Sequence, residues 1–121
     1  MKSNRIAFAT ALILAIAAPA VAATTAALVA AGNTLAGPGA VSVALNATQT
    51  VYSDASGNSD TCVTVINAGG PIRLSMISGN TVSIDLATGA SGALCRSSTT
   101  QVDLICLGGN GCSAQWRVDR N

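Results

Sequence analysis

The chain has no histidine and no glutamate, and its 121 residues include one phenylalanine, one tyrosine and one tryptophan. Its single lysine is Lys2, beside the N-terminus. Each absence removes a chemistry. Without histidine, or a lysine beyond residue 2, there is no ordinary general base to activate a serine and no amine for a Schiff base. Paired aspartates can run glycoside hydrolysis. Here, however, Asp54 and Asp60 fall in a loop-like stretch, while Asp85, Asp103 and Asp119 read as solvated strand positions. Catalysis is therefore not expected. Charged residues make up only 9% of the chain, too few and too scattered for a basic patch that would bind nucleic acid. Two aromatic residues beyond residue 22, Tyr52 and Trp116, do not make a stacking platform for bases.

What the sequence does have begins with an export pattern. Met1 to Arg5 is short and positive, and Ile6 to Ala18 is apolar or small apart from Thr10. Pro19 breaks the run, and Ala20-Val21-Ala22 offers the small residues a signal peptidase needs. The run is shorter than the roughly 20 residues that span a bilayer. Residues 1–22 are therefore expected to be a signal peptide, with no membrane association after its cleavage and a secreted or periplasmic location. Residues 23–40, ATTAALVAAGNTLAGPGA, are rich in alanine and glycine and uncharged. They read as a leader that ends at Gly37-Pro38-Gly39 and is able to add a strand to a neighbour's open edge.

From residue 41 to 121 the pattern is β. VSVAL (41–45), TQTVYS (48–53), TCVTVIN (61–67), PIRLSMI (71–77), TVSIDLA (81–87), QVDLIC (101–106) and SAQWRVD (113–119) are short, and most alternate with period two between Gly/Asn/Ser clusters. This predicts an all-β fold: a small single-domain β-sandwich, immunoglobulin-like or jelly-roll-like, of about seven short strands. Register is testable by matching faces. Across the 71–87 pair, a turn at Ser78-Gly79-Asn80 sets Met76 opposite Val82, Leu74 opposite Ile84 and Ile72 opposite Leu86, with Asn80 taking the left-handed position. A turn of two residues would set apolar against polar.

The same test on 101–119 predicts a hairpin with Cys106 opposite Cys112, Leu104 opposite Ala114 and Val102 opposite Trp116, the last a core aromatic. The stretch CLGGNGCSAQW has neither the CxxC spacing nor the histidines of a zinc site, and no CxxC redox motif. An even number of cysteines in an exported chain instead argues for disulfides. Cys62, Cys95, Cys106 and Cys112 allow three pairings, of which Cys106–Cys112 with Cys62–Cys95 is favoured, and Cys95–Cys106 with Cys62–Cys112 stays open. The chain-entropy model assigns about 2.5 kcal/mol to the shorter ring and just under about 4 kcal/mol to the longer. The cysteine and tryptophan order does not match that of immunoglobulin domains.

Asp54, Ser56, Asn58 and Asp60 place side-chain oxygens at alternate positions, which makes them a Ca²⁺ candidate. Ser59 stands where a calcium loop needs glycine, and Val65 where it needs the closing glutamate, so a polar turn is the better reading. No cofactor or metal is expected. The sequence as a whole is read as an exported, non-catalytic structural or surface-interaction subunit that self-associates or meets another exported protein. The alternative is a periplasmic or extracellular binding module for a small ligand or a protein.

Overall fold

The structure, a computed structural model, describes residues 28–121. The expected signal peptide and residues 23–27 of the expected leader lie outside the described residues. Eight strands follow in chain order: β1 (Thr34–Val43), β2 (Thr48–Ser53), β3 (Thr61–Gly69), β4 (Ile72–Ser78), β5 (Asn80–Leu86), β6 (Ser91–Arg96), β7 (Gln101–Cys106) and β8 (Cys112–Arg120). They form two antiparallel four-stranded sheets, β1-β8-β3-β6 and β2-β7-β4-β5. The first strand thus pairs with the last, the second with the seventh, the third with the sixth, and the fourth with the fifth. One long hairpin, with its apex between β4 and β5, has been rolled up so that alternate pairs fall in opposite sheets. That order is a jelly roll, the second of the two sandwich types that the sequence admits.

Alternation in the sequence becomes sidedness in the sandwich. Val63 and Val65 of β3, Ile72, Leu74 and Met76 of β4, Val102 and Leu104 of β7, and Val118 of β8 all point inward and are fully buried. Each such side chain contributes about 1.5–3 kcal/mol through its removal from water. The β4–β5 register has Met76 opposite Val82, Leu74 opposite Ile84 and Ile72 opposite Leu86, as face matching predicts. The left-handed residue in its turn is Gly79, at φ 78°, and Asn80 already belongs to β5.

Three features depart from the expected layout. The strand count is eight, because β6 (SGALCR) carries no β-branched residue to signal it. The boundary drawn at 40/41 falls inside β1, which takes in Thr34 to Ala40 of the expected leader. Gly37-Pro38-Gly39 does not end the leader; it kinks an edge strand, with register shifts either side of Ala36.

The third departure is the hairpin at 101–119, which does not exist. β7 pairs with β2 and β4, β8 pairs with β1 and β3, and residues 107–111 cross from one sheet to the other. Cys106 and Cys112 face each other across the interior, and their disulfide, with Cα atoms 5.6 Å apart, ties the two sheets at one end. Trp116 is opposite Val65 in β3 and Gly39 in β1, not Val102. It lies on the inner face but is half-buried at the β1 side, and a β-carbon on Gly39 would fall 2.7 Å from the indole.

Candidate interaction surfaces

The residues that could carry chemistry are dispersed and already engaged. Asp103 and Asp119 are buried, which corrects their reading as solvated positions. Asp103 accepts from Thr50 Oγ1 at 2.7 Å and from Gln101 Nε2 at 2.9 and 3.0 Å. Asp119 accepts from Arg117 Nε at 2.9 Å and from Thr34 Oγ1 at 3.1 Å. They are on strands of different sheets, and each is satisfied by its neighbours. Asp85 is exposed and is held by Arg73 through two contacts, Nε–Oδ1 at 2.7 Å and Nη2–Oδ2 at 3.1 Å. Hydrogen bonding to that guanidinium, more than its charge, holds the Asp85 carboxyl below its usual value.

Asp54, Ser56, Asn58 and Asp60 lie in the β2–β3 connection. Asp54 Oδ1 accepts from Ser56 Oγ at 2.6 Å and from Ser56 N at 3.1 Å, an Asx turn closing on itself. Those bonds, the hydroxyl's foremost, lower the Asp54 carboxyl. Asp60 Oδ1 instead accepts from the Ser98 N–H at 2.9 Å, in the connection after β6. The two carboxylates serve separate turns. Among the described residues, no group of three histidine, cysteine or acidic side chains is placed to hold a metal.

The four cysteines form two disulfides of different character. Cys106–Cys112 is buried between the sheets. Cys62–Cys95 joins β3 to β6 on the outer face of its sheet, where Cys95 is exposed. Beside the buried disulfide is an open cavity of about 430 Å³, bordered by Ser42, Ala44, Gly69, Gly70, Asn110 and Ser113. Through Ser42 and Ser113 it adjoins a second hollow of about 290 Å³, on the outer face of the β1-β8-β3-β6 sheet. The lining is small and weakly polar, with no charged or aromatic side chain.

The edge strands on the two flanks of the sandwich differ. Unpaired strand edges invite pairing, and proteins blunt them with proline, lysine, bulges or short strands. On one flank β1 carries Pro38 and two register shifts, and β2 carries a shift between Thr50 and Tyr52. On the other flank β5 and β6 have continuous register and no proline or lysine. Asp85 is paired with Arg73, and Arg96 donates to the neutral Asn80 of β5, with Nη2–Oδ1 at 2.7 Å. Val82 is 36% exposed on this flank, and Ile84 and Leu94 are only partly covered. Sequence reasoning missed this surface because β6 was not recognised as a strand.

No family model matches the chain, and no curated protein matches it. Among solved structures, the chain is similar to one described in the words "Bacillus endospore appendages form a novel family of disulfide-linked pili". The identity is 19% and the TM-score 0.48, over 78% of this chain and 93% of that one. Among the described residues, no helix is long and apolar enough to cross a membrane.

Proposed function

We propose that the protein is an exported, non-catalytic structural subunit that associates with copies of itself. The observation that carries this reading is the asymmetry of the sheet edges: one flank is blunted by Pro38 and bulges, while β5 and β6 present straight edges beside exposed Val82. A monomer gains nothing from leaving one flank unguarded, whereas a subunit needs that flank. Two disulfides in a domain of this size fit an oxidising compartment. The lack of histidine and glutamate, with every described aspartate already engaged, supports a role without catalysis. Light scattering on the protein recovered after export should show a mass that rises with concentration. A single-chain mass at every concentration would overturn the proposal.

A second reading rests on the cavity beside Cys106–Cys112. At about 430 Å³ it is of a size that takes a small ligand. Its hydroxyl, amide and backbone lining suits a polar ligand such as a sugar or a peptide end. A thermal-shift screen with Ca²⁺, sugars and short peptides distinguishes the two: stabilisation of a strict monomer by one of them favours the binding module, and no response from any removes it.

A further inference from the structure

Among the described residues β6 has a neighbour on one side only, β3. The Cα atoms of Cys62 and Cys95 are 4.0 Å apart, the short spacing of a non-hydrogen-bonded antiparallel pair. Residues of such a pair turn their N–H and C=O groups away from each other. Because the β3–β6 register runs without a shift, Ser91, Ala93 and Cys95 all direct their backbone donors and acceptors to the open side. Next to this row lies the incompletely covered apolar seam of Val82, Ile84 and Leu94. At its end, Arg96 Nη1 is buried with no acceptor, and buried donors in folded proteins almost always have one.

The opposite edge of the same sheet carries a segment with the complementary need. Upstream of β1, Leu28 N donates to the side chain of Gln115 at 3.0 Å, and the Val29 carbonyl accepts from Arg117 Nη1 at 2.8 Å. Both contacts are to side chains, so Leu28 and Val29 join no backbone ladder. Val29 stays 69% exposed. Residues 26–31, AALVAA, contain no proline and no charge. Extended, six residues reach about 20 Å, which matches the six residues of β6.

We propose that residues 26–31 of one copy add as a strand to β6 of a second copy, with Val29 covering the seam of Val82, Ile84 and Leu94. This deepens the self-association proposed above and rests on it. The added strand takes up the outward groups of Ser91, Ala93 and Cys95 and gives Leu28 and Val29 a ladder that they lack in their own chain. The geometry also sets the form of the assembly. Donor and receiver lie at opposite ends of one sheet, so the contact is heterologous, and it propagates into an open filament or a ring instead of stopping at a two-fold dimer.

Two variants separate the donor from the receiver. In Ala93→Pro the lost N–H is one that faces the open side, so the ladder to β3 is retained. Ala93→Lys serves the same purpose should proline perturb folding. Deletion of residues 23–31 removes the donor and leaves all eight strands. Each variant alone is expected to keep the mass of a single chain at concentrations where the unaltered protein assembles, while still unfolding in one cooperative transition. Mixed together, the Ala93 variant supplies a donor and the deletion variant a receiver, so 1:1 pairs should form and nothing larger. If the deletion variant still assembles, the leader is not the occupant. If the Ala93 variants still assemble, β6 is not the receiver. Either result overturns the inference while leaving self-association standing, whereas a monomeric unaltered protein removes both.

Discussion

Asn67 is fully buried at the end of β3, where a polar side chain needs every partner it can find. Its amide nitrogen shares its two N–H donors among the carbonyls of Gly70 at 2.6 Å, Leu86 at 3.0 Å and Ala87 at 3.0 Å, while Oδ1 accepts from the Gly69 N–H at 3.1 Å. One side chain therefore stitches the β3–β4 turn to the end of β5 and so helps to join the two sheets. Asn67→Ala should cost about 1–3 kcal/mol, since it leaves the buried Leu86 carbonyl without this donor and removes the side chain that ties the turn to β5. Urea denaturation checks this as a lower midpoint at unchanged slope. Position 67 continues the inward series 61, 63, 65, so its burial was readable from the alternation; its partners, brought from residues 86 and 87, were not. Asp85 is the contrasting case. Hydrogen bonding to Arg73 holds the Asp85 carboxyl below the usual carboxylate value, so in the folded state the group loses its proton more readily than in the unfolded chain. The resulting stabilisation is present above the unfolded value and disappears as the pH falls through the lowered folded value. Asp85→Asn should therefore flatten the acid side of a melting-temperature profile and leave no mark below that range. The pair is exposed, so the effect is small, and about 1 M salt should erase it. An unchanged acid limb in Asp85→Asn would show that the ion pair contributes nothing.

At the scale of elements, the register of the β4–β5 hairpin was legible, though not its left-handed residue, and the pairing of β7 and β8 was not. Face matching asks which residues point to the same side. It succeeds where a tight turn forces neighbours to pair, and Gly79 provides such a turn. It fails at residues 107–111, because two strands that face each other across a sandwich also bring apolar residue to apolar residue and cysteine to cysteine. The pairing of Cys106 with Cys112 follows from either arrangement, so the disulfide could be read without the topology. In sequence Gly37-Pro38-Gly39 resembles a terminator, which hides the first half of β1. In the fold, the small residues make room for Trp116, and the proline sits on an edge where its missing donor costs little. The turn at Gly79 gives a clean test of backbone cost. A β-carbon there meets nothing within 4 Å, so Gly79→Ala introduces no clash and only the left-handed φ is penalised, by about 1–2 kcal/mol. Gly79→Asn should cost less, because asparagine visits that region more readily. Equal losses for the two variants would mean that the turn changes conformation in one of them.

For the whole molecule, the rolled hairpin fixes the order in which contacts become affordable to a folding chain. β4 and β5 are joined by one residue, whereas pairing β3 with β6, β2 with β7 and β1 with β8 closes progressively longer loops. Loop-closure entropy has to be met before such pairs reward it, which makes the fold a slow one. The Cys62–Cys95 bond spans 33 residues and sits in the β3–β6 pair, the first of the long closures. Oxidised, it holds that pair together in the unfolded chain and acts on the starting state. Its removal in the double variant Cys62→Ala/Cys95→Ala should therefore cost just under about 4 kcal/mol by the chain-entropy model. If β3 and β6 are paired in the transition state, that cost appears as slower folding, by roughly 50- to 500-fold, while unfolding changes less than about tenfold. Stopped-flow refolding of the oxidised protein and the double variant measures both limbs. A loss carried by the unfolding rate would place β3–β6 pairing after the barrier and make the hairpin's apex, without its first wrap, the folding nucleus.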